Sequence, residues 1–105
     1  MTTTRITTRQ IKRRDVTKTT GTYTLDYTYD EILCNCVGGA ITLNLPAAAS
    51  SEGVGYTIKK IDSSANTVTI DGIASETIDD QTTQTIGFQY TSLQIVCDGT
   101  EWWIL

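Results

Sequence analysis

Histidine is absent from this 105-residue chain, proline occurs once, and no apolar run approaches the length of a membrane-spanning helix. Without histidine, the commonest general base, the usual serine and cysteine triads and the commonest metal ligand are missing. A transmembrane helix needs about 20 apolar residues, and the basic N-terminus lacks the hydrophobic run of a secretion signal. The sequence therefore predicts a non-enzymatic protein with no catalytic residue, cofactor, metal ligand or membrane segment, assembled in the cytoplasm.

Cysteine is scarce, and its spacing matches no zinc site. The three cysteines are an odd number, and Cys34 and Cys36 would project from the same face of a strand. Unpaired cysteine is commonly buried and behaves as a small hydrophobic residue. We therefore interpret Cys34, Cys36 and Cys97 as apolar core residues.

Positive charge is concentrated at one end of the chain. Six of the eight lysines and arginines lie in the first 20 residues, where Asp15 is the only acid, so this part is near +5. From residue 21 onward only Lys59 and Lys60 oppose eleven carboxylates, which leaves about −9. We divide the chain into a basic N-terminal arm, residues 1–20, and an acidic module, residues 21–105.

The module has the composition and periodicity of strands. Threonine, isoleucine, valine and tyrosine are abundant and fit a pleated, half-buried surface. Apolar residues alternate with polar ones over residues 22–29 and 41–45, and Ile73 and Ile78 are expected to anchor a short irregular strand. The prediction is an all-β fold, a small antiparallel sandwich or barrel in meander order, with an extended N-terminal arm.

Aromatic residues are spread along the module and include two of the last four positions. Trp102, Trp103, Ile104 and Leu105 would be costly to leave in water, so we expect them to be packed. The eight aromatic side chains could form a sugar-stacking or receptor surface, although burial in the core or in a subunit interface is favoured.

From Gly39 the chain reads GAITLNLPAAASSEGVGYTIKKIDSSANTVTIDG, followed by SETIDD and LQIVCDGTEWWIL. These segments, in this order, resemble a recurrent module of tailed-bacteriophage structural proteins over roughly residues 22–105. The chain departs from the family pattern at Asp80, where members often carry glycine. Such modules occur in head decoration proteins, head fibres and tail fibres and are often trimeric.

The resemblance implies a homotrimeric component of a phage virion. As a short chain with a basic arm, it fits a capsid cement or decoration protein best, one that attaches to the particle through the arm and stabilises it. The alternative is a tail-fibre, head-fibre or baseplate module in which residues 47–55 and 75–81 contact a receptor on the host surface.

The arm itself permits three interpretations: nucleic-acid binding, a solvated tail, or docking on another protein. No aromatic residue lies among its cations and the module is acidic, which weighs against nucleic acid. We favour docking on the major capsid protein or other virion subunits, with an added strand along a neighbour's edge. The predicted partner-binding residues are Arg5, Ile6, Arg9, Ile11, Lys12, Arg13, Arg14 and Lys18.

Overall fold

The computed structural model describes the chain from residue 15, with side chains from Val16 onward. The described part contains nine short strands and one 3-10 turn, and the prediction of an all-β fold is confirmed. Burial alternates along most strands, as a period of two requires. The strands are β1 (Asp15–Lys18), β2 (Gly21–Thr24), β3 (Glu31–Cys34), β4 (Ile41–Asn44), β5 (Gly55–Lys60), β6 (Val68–Asp71), β7 (Thr83–Ile86), β8 (Ser92–Cys97) and β9 (Trp102–Ile104), and the 3-10 turn spans Ala48–Ser50.

The strands form two sheets, and the first six alternate between them. The five-stranded sheet has the order β1-β3-β5-β8-β9, and the four-stranded sheet has the order β2-β4-β6-β7. The first six strands wind as a coil, so that β1, β3 and β5 run parallel, as do β2, β4 and β6. Only the last three strands join by antiparallel pairing.

This pairing differs from the purely antiparallel meander that the sequence predicts. Turns such as Gly38-Gly39 lead the chain across to the opposite sheet. The chain returns to the first sheet one turn of the coil later and lies beside its earlier strand. Parallel neighbours require such crossovers, whereas a hairpin would bring the chain straight back. Alternating polarity is the same in both arrangements, which is why the local pattern does not separate them.

The core fills the space between the two sheets. Matching positions on successive turns are apolar, for example Ile32 beside Ile58 and Leu43 beside Ile70, all fully buried. Burying a side chain of this size contributes about 1.5–3 kcal/mol. The Trp102 ring stacks on Tyr56 with centroids 5.7 Å apart. The three cysteines are unpaired and buried in this core, as the sequence predicts.

Threonine is concentrated on the outer face of the four-stranded sheet. One residue from each strand lies in the same register there: Thr22, Thr42, Thr69 and Thr85. Threonine pairs across neighbouring strands stabilise a sheet while leaving its outer face polar. These four threonines therefore have a structural explanation in this row.

One local prediction is wrong and another is confirmed only in part. The strand expected over residues 22–29 ends at Thr24, because the Asp26 carboxylate accepts a hydrogen bond from the Thr28 N–H at 2.8 Å and bends the chain into a turn. The last residues are only partly packed. Trp102 is fully buried, whereas Trp103 and Leu105 are 38% and 74% exposed.

Candidate functional site at the N-terminal end of the sheets

Both sheets end on the same side of the molecule, in β1 and β2. The coil advances in one direction, so its first turn supplies the outermost strand of each sheet. Within residues 15–105, no strand pairs with the outer edge of either one. Such an edge presents a row of backbone N–H and C=O groups on which a further strand can add. We call β1 and β2 together the open end.

The opposite edge of the five-stranded sheet, formed by β9, is covered by residues 76–82. Ile78 is fully buried there and forms bridges with Gln81 and Trp102. The outer side of β9 is satisfied because the Trp102 N–H donates to the Thr77 carbonyl at 2.9 Å and the Ile104 N–H donates to Asp79 Oδ1 at 2.9 Å. Covering an edge in this way protects it from pairing with another chain. We call this side the covered end.

Lys18 is the one predicted partner-binding residue whose side chain the structure describes. It lies in β1, within the segment predicted as the arm, and β1 is itself a strand of the five-stranded sheet. Its Nζ lies 4.5 Å from the Tyr23 ring centroid and 5.0 Å from that of Tyr29. A cation over a tyrosine ring is attracted by the negative face of the ring. Lys18 therefore joins the first turn of the coil to the next.

The other predicted partner-binding residues lie outside the described residues, so the structure does not bear on them. They are Arg5, Ile6, Arg9, Ile11, Lys12, Arg13 and Arg14.

A buried ionic cluster ties the second turn of the coil to the third. Lys60 Nζ is fully buried and donates to the Asp62 carboxylate at 3.0 Å, to the Asp62 carbonyl at 2.8 Å and to the Ser64 carbonyl at 2.9 Å. All three ammonium protons therefore have acceptors. Asp62 Oδ1 in turn accepts the Cys36 N–H at 2.7 Å, across the gap between the two turns.

The electrostatics of this cluster favour an ionised Asp62. Burial by itself would raise the pKa of the carboxyl group, but hydrogen bonds from the Ser64 hydroxyl, the Cys36 N–H and Lys60 outweigh it and hold the pKa well below its usual range. The Lys60 ammonium and the Asp62 carboxylate are fully hydrogen-bonded within the cluster. We therefore assign the cluster a structural role. Sequence reasoning missed it, although Lys60 and Asp62 are two residues apart and such residues in a strand share a face.

The acidic residues of the C-terminal turns hold backbone N–H groups. Asp98 Oδ1 accepts from the N–H groups of Thr100 and Glu101 at 2.8 Å each, and its other oxygen accepts from Trp103 Nε1 at 2.9 Å. The Glu101 N–H is the largest cause of a lowered pKa at Asp98. In the described part of the chain, no three His, Cys, Asp or Glu side chains are grouped so as to hold a metal ion.

Lysine is rare on the described surface. Lys60 is neutralised inside the protein by Asp62, which leaves Lys18 and Lys59 as the remaining cations of the region from Val16 to the C-terminus. Carboxylates therefore dominate the surface of the sheets. No helix between residues 15 and 105 has the length and apolarity that crossing a membrane requires.

Comparison of the chain with models of known protein families and with curated proteins found no match. The resemblance to phage structural modules therefore stays a prediction. What the geometry offers is an acidic two-sheet body whose β9 edge is covered and whose β1 and β2 edges are unpaired within residues 15–105, next to the basic N-terminal residues.

Proposed function

We propose that this chain is a non-enzymatic structural protein of a bacteriophage virion, a capsid cement or decoration protein that attaches through its basic N-terminal residues. The observation that carries the proposal is the difference between the two ends of the sheets. In the five-stranded sheet the β9 edge is covered by residues 76–82, whereas within residues 15–105 the outer edges of β1 and β2 are unpaired, beside the point where the basic residues join the body.

Attachment of this kind combines strand addition with the attraction of opposite charges. An extended peptide that adds to a sheet edge gains main-chain hydrogen bonds, and side chains set its specificity. Opposite charge on the partner accelerates encounter and fixes register. The major capsid protein, other virion subunits and further copies of this chain in a homotrimer are the proposed partners.

The test is binding to phage particles that lack the protein. We expect removal of residues 1–14 to abolish binding while circular dichroism shows the same strand content, because the buried apolar side chains of the described part of the chain, from Leu25 to Trp102, are all retained. A matched control replaces the threonines of the same segment with serine and keeps its charge. If the shortened chain binds particles with full affinity, the proposed attachment is wrong.

A second candidate function, a fibre or baseplate module that contacts a host receptor, is favoured by one exposed turn. Phe88 and Tyr90 are 80% and 66% exposed, and Tyr90 has a positive φ of 68°. Exposed aromatic side chains that are close together are typical of contact surfaces. Counting copies per particle by quantitative mass spectrometry separates the two functions, since decoration requires hundreds and a fibre or baseplate requires a few.

A further inference from the structure

A groove lies at one corner of the five-stranded sheet, where β3 and β5 begin. The turns that precede these strands, residues 26–30 and 51–55, border an open depression of about 330 Å³. A second depression of about 190 Å³ adjoins it and shares Asp30 and Gly55. Together they form what we call the corner groove. Its first part is lined by Tyr27, Tyr29, Asp30, Gly53, Val54 and Gly55.

The corner groove is acidic. Asp30 lines both of its parts, and Glu52 lies outside the lining on the exposed surface of the second turn, with its side chain next to Gly99. Burial raises the pKa of the Tyr56 hydroxyl, and the charges of Asp26 and Asp30 raise it further, which reports a negative potential at this corner. A ligand for this groove should be positively charged.

The groove also presents tyrosine rings suited to cations. Tyr27 is 73% exposed, and Tyr29 already holds the ammonium group of Lys18 at 5.0 Å from its centroid. Arginine and lysine bind aromatic faces of this kind with about 0.5–1 kcal/mol at exposed sites. Lys18, a cation of the predicted N-terminal arm, is therefore already bound beside the corner groove.

The chain enters the sheet beside the groove. β1 begins at Asp15, whose partner in the ladder is Glu31, the residue after Asp30. Neighbouring strands lie about 4.8 Å apart, so the residues before Asp15 are attached within a few ångströms of the groove. Residues 1–14 carry Arg5, Arg9, Lys12, Arg13 and Arg14 and no acid. We call residues 1–14 the basic segment.

We propose that the corner groove binds the basic segment of its own chain, through Asp30 and the ring of Tyr27. Attachment at the rim gives the segment an effective concentration in the millimolar range, which favours its own groove over that of a second copy. The consequence rests on the proposed function: a larger assembly must compete with the groove for the segment, so variants that weaken the groove should attach more readily.

Paramagnetic relaxation in the full-length chain tests the proposal without any particle. A spin label on Thr8→Cys is selective because the three native cysteines are at most 2% exposed. In one sample, spin-labelled ¹⁵N protein is diluted with wild-type protein that carries neither the spin label nor ¹⁵N. Only contacts within one chain then broaden signals. We expect broadening at Tyr27, Asp30 and Gly53 and none at Ile73, which lies by the opposite sheet.

Matched charge variants assign the contact. Asp30→Asn and, as a second variant, Glu52→Gln should each lower the ratio of bound to released segment by roughly twofold to fivefold, the range of an exposed ion pair. Asp71→Asn makes the same charge change on the outer face of the four-stranded sheet and should leave the broadening unchanged. Raising the ionic strength from about 0.1 M to about 1 M shortens the screening length from about 10 Å to about 3 Å and should release the segment.

Three results would overturn the proposal. The first is absence of broadening at the corner groove. The second is broadening that occurs only when ¹⁵N wild type is mixed with spin-labelled unenriched protein, because this would place the segment on a second copy. The third is an equal effect of Asp30→Asn and Asp71→Asn. None of these results depends on particle binding, so failure here and failure of the proposed function are distinguishable.

Discussion

The outer strand edges differ between the two ends of the sheets. At the covered end, residues 76–82 satisfy the outer N–H groups of β9 and bury Ile78. At the open end, no strand pairs with the outer edge of β1 or β2 within residues 15–105, and tyrosine rings hold a lysine there. An edge strand invites pairing unless it is covered. In the five-stranded sheet, the difference directs strand addition to β1 and away from β9.

Of the changes considered, replacing Asp62 with alanine should lower the unfolding free energy most, because Asp62 lies inside the coil formed by β1 to β6. The change leaves the Lys60 ammonium buried without its counter-ion, and breaking a buried pair in this way costs about 3–5 kcal/mol of unfolding free energy. Asp71→Ala removes a half-exposed carboxylate from β6 and should stay within about 0.5 kcal/mol. Urea unfolding of both variants checks the contrast, and equal losses would contradict it.

Replacing Gly72 with alanine should damage the covered end. A β-carbon at this position would lie inside contact distance of the Glu76 backbone carbonyl, so residues 72–76 must shift. Overpacking of this kind costs about 1–3 kcal/mol. At Gly87 the nearest atom to an added β-carbon is 3.9 Å away, so Gly87→Ala is the matched control. The prediction fails if the two variants have the same melting temperature.

Alkaline pH should weaken the coil through Cys34. Burial, together with the charges of Cys36 and Asp62, raises the pKa of this thiol from 9.0 to about 12. Between these values the unfolded chain binds fewer protons than the folded one, so stability falls as pH rises, by about 1.4 kcal/mol per pH unit for this group. Unfolding measured over this range should show a shallower slope for Cys34→Ala than for wild type. A slope that the substitution leaves unchanged would argue against the raised pKa.

Replacing Lys18 with methionine should have the smallest effect and reports on the open end. The substitution keeps much of the side-chain length but removes the cation above Tyr23 and Tyr29, at a cost of about 0.5–1 kcal/mol. Lys59 lies 5.6 Å from the Tyr90 ring on another part of the surface and provides the control Lys59→Met. Chemical denaturation that ranks Lys59→Met as the more damaging change would refute the role given to Lys18.

Periodicity and composition were enough to predict the all-β class and the buried cysteines. They could not predict parallel coiling, because alternation along a strand records which face is buried and says nothing about which neighbour lies alongside. Ile73 and Ile78 illustrate the limit: both were expected to anchor the chain, yet Ile78 is fully buried and Ile73 is 48% exposed.

The candidate site was less accessible to sequence reasoning. The charge segregation identified the basic stretch, and Lys18 was named among its residues. The open and covered ends depend on the order of strands in space, and the corner groove combines turns that are about 25 positions apart in the chain. Contacts of that kind leave no local pattern to detect.

The coil also allows the body to be lengthened by whole windings. Each winding contributes one strand to each layer and contacts only its immediate neighbours in each sheet, as in repeat proteins, so one more would lengthen the stack by about 4.8 Å without altering its cross-section. Insertions ahead of β1 should therefore yield longer rods with an unchanged tip. A scaffold that grows in increments from a single side is a convenient spacer for engineering.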